Sequence, residues 1–412
     1  VRVAVVDGLS SGRELTRELI AQGAECVHVL SSPTLSTYYL STFQPADYVV
    51  DLGYDEDRTV TAQRLLALGV EHIVAGTESG VRVADELNHL TGLPGNDYAL
   101  SGARHHKHRM AAALQAAGVD APRSGTATSV AGAVAWYRGS GLADVVVKPA
   151  ASATTDRVRV CRNAEEVERA AAGIVGTPNV FGQLDDEVVV QEFLAGREFS
   201  VNTITVNGVH QIVESWVYTK TRTADGAPIF DFEEPADLNA PDTHAVHEYV
   251  GRALTALGIR TGAGHSEIML TDRGPLLIDP GARLGGGVLP WVATKFIGHS
   301  HAALAATSIL EPQQVLRLTG EIPRPWTSPI RYVSLINRAD GVVKSLGWLR
   351  RLESLPTALA VTTRLEPGDP LPRTTDLISS PGYIYLSAQT PEELRTDYET
   401  IRRWEDDGLY AS

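Results

Sequence analysis

The sequence predicts a multidomain protein in which a parallel α/β domain is joined to α+β segments, and three observations carry that expectation. Over residues 1–103, short β-rich runs alternate with amphipathic helical stretches, as a parallel sheet crossed by helices requires. Beyond them, strand-like runs are separated by tight polar turns, the mark of antiparallel hairpins. The chain has 412 residues, more than one hydrophobic core ordinarily serves.

Composition narrows the function. Asp and Glu number 50 against 36 Lys and Arg, leaving a net charge of −14. Bulk charge therefore argues against nucleic acid or an anionic membrane as partner, and any phosphate site has to be local. Only Cys26 and Cys161 are present, too few for a disulfide framework or a Cys-based zinc site, which points to a reducing compartment. No apolar run approaches membrane-spanning length. The first apolar run is broken by Asp7 and Gly8 before it could serve as a signal-peptide core, so the expected location is the cytoplasm.

In the N-terminal region, residues 1–6, 27–30, 48–52 and 72–75 are the expected strands and residues 13–21 and 59–68 the expected helices. The Asp7–Gly12 segment has half of a dinucleotide fingerprint with an incomplete glycine pattern, and reads as a tight strand-to-helix turn. After the fourth strand comes Gly76-Thr77-Glu78-Ser79-Gly80, at the sheet edge where open α/β folds place ligands. Glu78 there can grip a substrate amine, or simply stabilise the following helix through its dipole.

A helix is expected over residues 104–117, with Arg104, His105, His106 and Lys107 crowded at its start. Adjacent histidines on a helix diverge by about 100° and chelate a metal poorly. Val145-Val146-Val147-Lys148-Pro149 reads as a buried strand, in which a lysine needs an anionic partner unless it snorkels to the surface. The segment after it carries Ser152, Thr154 and Thr155, and a hydroxyl-lined hairpin beside a lysine can close over phosphates. Residues 188–193 read as an apolar strand and 194–198 as the turn to the next, where Gln191, Glu198 and exposed backbone groups can read a purine edge and a ribose. Residues 219–241 read as a long polar loop, of the kind that often acts as a lid. One helix carrying Trp291, His299 and His301 is expected next, then strands near 331–336, 358–365 and 382–388 and a helix from Pro391.

The most informative stretch is GHSEIMLTDRGPLLIDPGARLGGG, residues 264–287. Two apolar runs flank Thr271-Asp272-Arg273-Gly274, predicting a hairpin. Alternation puts His265, Glu267 and Met269 on one face and lets Glu267 meet Asp279 across the hairpin. Two facing carboxylates repel unless a cation lies between them, and a hard ion such as Mg²⁺ suits oxygen ligands. Arg283 and the run Gly285-Gly286-Gly287 add a fixed fork of donors and close backbone approach for an anion. A solvated surface hairpin is the ordinary alternative.

In chain order, then, Lys107 opens a helix, Lys148 lies in VVVKP, residues 191–201 read QEFLAGREFSV, Glu267 lies in GHSEI, and residues 279–287 read DPGARLGGG. This order resembles the ATP-grasp superfamily of carboxylate–amine ligases over nearly the whole chain. Within it, TESGVRVADELNHLTGLPGN, SATTDRVRVC and GHSEI look most like the L-amino acid ligases that form dipeptides. The resemblance implies an ATP-grasp fold with an N-terminal parallel α/β domain (1–103). A central and lid subdomain (104–194) and a catalytic subdomain (195–328) would hold the nucleotide between them, followed by a C-terminal α+β subdomain (329–412).

Carried over by position, the resemblance gives Lys107, Lys148 and the hydroxyls of Ser152, Thr154 and Thr155 to ATP phosphates. Gln191, Glu192 and the Leu194 backbone go to the nucleotide base side and Glu198 to the ribose. Glu267 and Asp279 match the Mg²⁺-binding acids, and Arg283 the arginine that stabilises an acyl-phosphate and its transition state. Glu78, His265, Trp216, Gly286 and Gly287 would line the substrate pocket, although Trp216 also reads as a core or strand-surface residue. The implied reaction is amide formation from an amino-acid carboxylate and an amine, with ATP and Mg²⁺ as cofactors and release of ADP and phosphate. A non-catalytic ATP-binding relative and a ligase or carboxylase for other carboxylates are the alternatives. The expected partners are small molecules, with the C-terminal sheet as candidate surface for a homodimer. Two departures stand out: Asp279 and Gly281 occupy positions where the family usually has Glu and Asn, and His106 stands where Asp is common. Water can replace the missing ligand at Gly281, so Gly281→Asn is expected to be tolerated unless a positive φ is needed there.

Overall fold

In the computed structural model, residues 1–150, 157–178, 184–223, 228–287 and 289–411 are described. They form two compact units, one of Val1–Ser215 with Leu238–Arg324 and the other of Trp216–Asp237 with Pro325–Ser412.

The first unit begins with a four-stranded parallel sheet in the order Val50–Asp51, Glu25–Val29, Arg2–Val6, His72–Ala75. Its central strand is apolar on both faces because both are covered. Ala4 and Val6 pack with Ala62, Leu65 and Leu87 on one side. On the other, Val3 and Val5 pack with Leu15, Leu19 and the helix residues Ala302, Ala305 and Ile309. One core thus ties the N-terminal sheet to residues almost three hundred positions away, a link that no local pattern announces.

A second sheet runs Ser124–Ala127, Val188–Glu192, Val145–Pro149, Arg159–Cys161, all antiparallel. Val145, Val147, Val188 and Val190 face the helices Val130–Ser140 and Ala164–Ala172 through Ala133, Val167 and Ala171. Alternation then sends Lys148 and Gln191 together to the opposite face. The hairpin segment holding Ser152, Thr154 and Thr155 lies outside the described residues. A third set of strands places Gly274–Gly281 beside Gly262–Thr271, then Arg197–Val206, then the first half of Val209–Arg222. The helix Pro241–Ala256 backs it, and its Tyr249 hydroxyl accepts from the Leu277 N–H at 2.9 Å and donates to the Asp120 carbonyl at 2.6 Å.

Three sequence expectations need correction. The helix expected from residue 104 begins at Lys107, after a 3₁₀ segment Tyr98–Arg104. Arg104 is fully buried and bonded to Asp85 and to the carbonyls of Leu257 and Asp97, so it closes a turn instead of entering the helix. The single helix expected beyond Gly287 is three, Pro290–Ile297, His301–Leu310 and Pro312–Arg317. Gly298 takes the left-handed φ that ends the first, and the Ser300 side chain caps the second.

The third correction lies in the second unit. Residues 219–241 are not a long loop: the strand Val209–Arg222 runs on to Arg222 and pairs antiparallel with Pro228–Pro235. Asp231, one of the polar residues of this stretch, is buried and bonded by Tyr398 and Arg402. Those partners come from the helix Pro391–Asp406, which starts with a capping box at Thr390 and Glu393. Strands Ile330–Ser334, Tyr383–Ser387 and Ala358–Thr362 complete the sheet of this unit. Its core joins Val333, Trp348, Leu352, Ile384, Leu386, Leu394 and Ile401.

Candidate functional site

The predicted hairpin forms, with Glu267 directly opposite Asp279 and a bulge immediately after the pair, where Ile268 next meets Leu277. Bulges re-aim side chains and often adjoin functional sites. Lys107, the first residue of its helix, reaches Asp279 Oδ1 with Nζ at 3.0 Å. The helix start is held by His106 in extended backbone, whose Nδ1 accepts the Arg109 N–H while Nε2 meets Glu187 at 2.6 Å. Burial works against the Lys107 charge, but Asp279, Glu78 and Glu267 outweigh it and raise its pKa.

Arg283 enters from just beyond the hairpin. Its Nε donates to Glu78 Oε2 at 2.9 Å and its Nη1 to the Leu284 carbonyl at 2.9 Å. Nη2 has no acceptor among the described residues. Burial raises the Glu78 pKa and Asp279 adds to the rise, against the opposing pull of Arg283 and Lys107. The turn bearing Glu78 is clamped from below: Asp7, fully buried with a left-handed φ of 54°, accepts from Ser31 and from Ser79. Gly76 lies so close that a Cβ there would stand 2.3 Å from the Asp7 carbonyl oxygen. The incomplete fingerprint is therefore a tight packing turn that sets the position of Glu78.

Lys148 is buried, and its Nζ donates to Gln191 Oε1 at 2.7 Å. An amide oxygen offsets little of the cost of burying an ammonium. Burial first and Lys107 second push the Lys148 pKa down to about 7. The Gln191 Nε2 is itself buried without a hydrogen-bond partner among the described residues. A strained cation and an orphaned donor on one sheet face suit a ligand that brings anionic and acceptor oxygens or nitrogens.

His265 is buried, with Nδ1 at 2.8 Å from Asn202 Oδ1 and Nε2 at 4.0 Å from Glu267 Oε1. Burial, then Arg283 and His301, hold it neutral with a pKa well below the usual value. Gly285 sits over the contact: a Cβ there would be 2.7 Å from Asn202 Oδ1 and 2.8 Å from His265 Nδ1. Asn202 was not picked out from sequence, although a lone amide inside the alternating strand Arg197–Val206 was the available signal.

The other predicted residues fall as follows. Glu198 is buried at the start of the Arg197–Val206 strand. The Glu192 carboxylate is engaged by Arg273 Nη2 at 2.7 Å and the Arg123 N–H at 2.9 Å. Leu194 is half-buried in the connecting turn. Gly286 and Gly287 are exposed, Gly287 with φ 93°. Trp216 belongs to the second unit, where it is buried edge-on to Trp326 at 4.9 Å between ring centroids. So Glu78, Lys107, Lys148, Gln191, His265, Glu267, Asp279 and Arg283 all lie in the first unit.

Among the described residues no group of three or more His, Cys, Asp and Glu side chains makes a preset metal site. Glu267 and Asp279 supply two facing carboxylates of the hard type that Mg²⁺ takes, leaving further positions for phosphate oxygens and water. That donor set fits the ion as a companion of a phosphate ligand. No described helix is long and apolar enough to cross a membrane.

The chain is similar to known proteins in sequence and in fold. Residues 105–228 match the phosphoribosylglycinamide synthetase, ATP-grasp (A) domain. The chain is 29% identical to dapdiamide A synthase of Enterobacter agglomerans over 419 residues, covering 98% of this chain and 96% of that protein. Among solved structures, the L-amino acid ligase from Bacillus licheniformis superposes with a TM-score of 0.75 at 18% identity, covering 98% and 97% of the two chains. A carboxyaminoimidazole ribonucleotide synthase from Aspergillus clavatus, complexed with ATP, gives 0.70 at 14% identity, covering 98% of each. At such identities the structural likeness speaks for the fold.

Proposed function

We propose that the chain is an ATP-dependent carboxylate–amine ligase of the ATP-grasp superfamily, joining an amino-acid carboxylate to the amine of a second amino acid or a related compound. ATP and Mg²⁺ are its cofactors. The observation that carries the reading is the meeting of Lys107, Glu78, Glu267, Asp279 and Arg283 around one point of the first unit. The likeness to dapdiamide A synthase over 98% of the chain supports a synthase reading.

A carboxylate is a poor electrophile until one of its oxygens carries a good leaving group. In the proposed reaction a substrate carboxylate oxygen attacks the γ-phosphorus of ATP and ADP leaves. The amine nitrogen then attacks the acyl carbon, the carbon–oxygen bond to phosphate breaks, and the amine gives up a proton. Mg²⁺, when bound, would neutralise charge spreading over the phosphoryl oxygens. Glu267 and Asp279 would hold it. Lys107 and Lys148 would bind phosphates, and Gln191 with the Leu194 backbone would face the base, with Glu198 on the ribose. Arg283, already fixed by Glu78, has its unspent Nη2 to offer the acyl-phosphate and the charge developing as phosphate departs.

The test is a matrix of free amino acids, small carboxylates and amines assayed for ATP-dependent phosphate release. The reading expects ADP and phosphate only when a carboxylate and an amine are both present. Release of AMP and pyrophosphate would replace it with an adenylate route. Turnover with carboxylates that are not amino acids would retain the chemistry and discard the substrate class.

A further inference from the structure

His265, Asn202 and Glu214 lie in a row across three neighbouring strands, Gly262–Thr271, Arg197–Val206 and Val209–Arg222. All three are nearly inaccessible to solvent. The Asn202 Nδ2 donates to Glu214 Oε1 at 2.9 Å, and the Asn202 Oδ1 meets His265 Nδ1 at 2.8 Å.

The chemistry of the far end sets the polarity of the whole row. The amide NH₂ of Asn202 is turned toward Glu214, which accepts from it. The amide oxygen must then face His265, and an oxygen there can be met only by a protonated Nδ1. In a neutral imidazole that leaves Nε2 as a bare acceptor. Nε2 points to the side where Glu267 Oε1 lies 4.0 Å away, so two acceptors look toward one point. Mg²⁺ prefers oxygen ligands, whereas an amine or ammonium with several N–H donors satisfies a nitrogen and a carboxylate together.

We infer that Glu214 and Asn202 are positioning residues that lock His265 as the Nδ1–H tautomer, so that Nε2 accepts a hydrogen bond from the N–H of the amine-bearing substrate. The identity of that donor rests on the ligase reading; the tautomer does not. Without the row, His265 could turn a donor toward the site and repel the group it has to receive.

The experiment reads the ring ¹⁵N shifts of His265 in the ligand-free chain labelled at histidine, assigned by difference from His265→Gln. The expected spectrum has a protonated Nδ1 and an unprotonated Nε2. Glu214→Gln keeps the shape but can present either amide group to Asn202, so it should mix the two tautomers. Combining it with Asn202→Asp restores an obligate acceptor facing Nδ1 and should restore the single tautomer. In parallel, the KM of the amine substrate should rise about tenfold in Glu214→Gln, the order of one hydrogen bond to a charged group, with the KM for ATP unchanged and the double variant recovering. A protonated Nε2 in the unmutated chain overturns the relay, with no variant needed. A shifted tautomer without a raised amine KM overturns the role given to Nε2. Absence of turnover with any amine overturns the ligase reading, while the spectrum still decides the tautomer.

Discussion

Two clusters of charge in this protein look alike in composition and differ in how completely they are satisfied. In the second unit Arg402 donates to Asp231 Oδ1 at 2.7 and 3.0 Å, to the carbonyls of Asp231 and Ser334, and to Glu405. Glu405 accepts in addition from the Ile336 N–H at 2.7 Å and the Tyr410 hydroxyl at 2.6 Å. Every strong donor in that cluster has its acceptor, and a ligand would find nothing to bind. The cluster of Lys107, Lys148, Arg283, Glu78, Glu267 and Asp279 is different. Arg283 keeps a prong without an acceptor among the described residues, Lys148 rests on an amide oxygen, and two carboxylates face each other across a hairpin. A closed network specifies structure; an open one of the same residue types marks chemistry still to be completed by a ligand.

The comparison is sharpest when one acid is neutralised in each cluster. Asp279→Asn removes a proposed metal ligand and the partner of Lys107, so kcat should fall about 10²–10³-fold, as for other groups that stabilise transition-state charge. Its urea midpoint should hardly move, since Glu78 and Glu267 remain beside Lys107 and crowding among the acids is relieved. Asp231→Asn should do the reverse, costing about 3–5 kcal/mol of stability by leaving Arg402 underpaired, while turnover per folded molecule is retained. Full activity in Asp279→Asn at ordinary Mg²⁺ would remove this carboxylate from the metal site.

Lys148 provides the next largest effect. Lys148→Met keeps the stem and removes the charge, and ATP affinity should drop about tenfold or more, the worth of a charge-assisted bond. The pKa of about 7 adds a sign. In the free chain Lys148 is neutral above that value, and bound phosphates favour its charged form. ATP binding at about pH 8 should therefore take up close to one proton and at about pH 6 almost none. Calorimetry in two buffers of different ionisation enthalpy measures this uptake, and it should vanish in Lys148→Met. The linkage to folding has the same origin. The unfolded chain binds this proton more tightly, so the Lys148 contribution to stability improves as pH rises from about 7 toward 10.5. Unchanged ATP affinity with the fold intact would return Lys148 to a purely structural role.

What was legible in the sequence follows the range of the interactions concerned. Periodicity and turn chemistry are local, and they located the parallel N-terminal strands, the Val145–Pro149 strand and the hairpin that faces Glu267 with Asp279. Motif order named Lys107, Asp279 and Arg283, and the sheet-edge position named Glu78; the structure joins Lys107 to Asp279 across 172 positions and Glu78 to Arg283 across 205. A polar stretch buried by distant partners misled: residues 219–241 read as loop, and the arginine that satisfies buried Asp231 lies 171 positions away. Asn202 stayed hidden for the same reason, since its meaning depends on His265, 63 positions on. The Asp7 clamp under the Glu78 turn likewise joins residues 72 positions apart.

The smallest expected effect concerns Gly281, where the family resemblance implies Asn and where sequence alone expected Asn to be tolerated. Gly281 is not among the glycines with positive φ, so the backbone condition for tolerance is met. Space is the obstacle. A Cβ at this position would stand 3.1 Å from Cζ of Arg283 and 3.2 Å from its Nε, closer than side-chain contacts normally come. The guanidinium must therefore give way by a few tenths of an ångström, and it is the group proposed to meet the acyl-phosphate. Because even a 1 Å misplacement can cost 10²-fold, Gly281→Ala should lower kcat by about two- to fivefold with ATP affinity unchanged. Gly281→Asn should cause the same loss while lowering the Mg²⁺ concentration needed for half-maximal activity, since its side-chain oxygen can replace a water on the second ion. A Mg²⁺ titration of the three proteins at fixed ATP separates the two effects. If Gly281→Asn instead raised kcat at saturating Mg²⁺, the position of Arg283 over Gly281 would not limit catalysis, and the open side of this charge cluster would have to be sought at the metal alone.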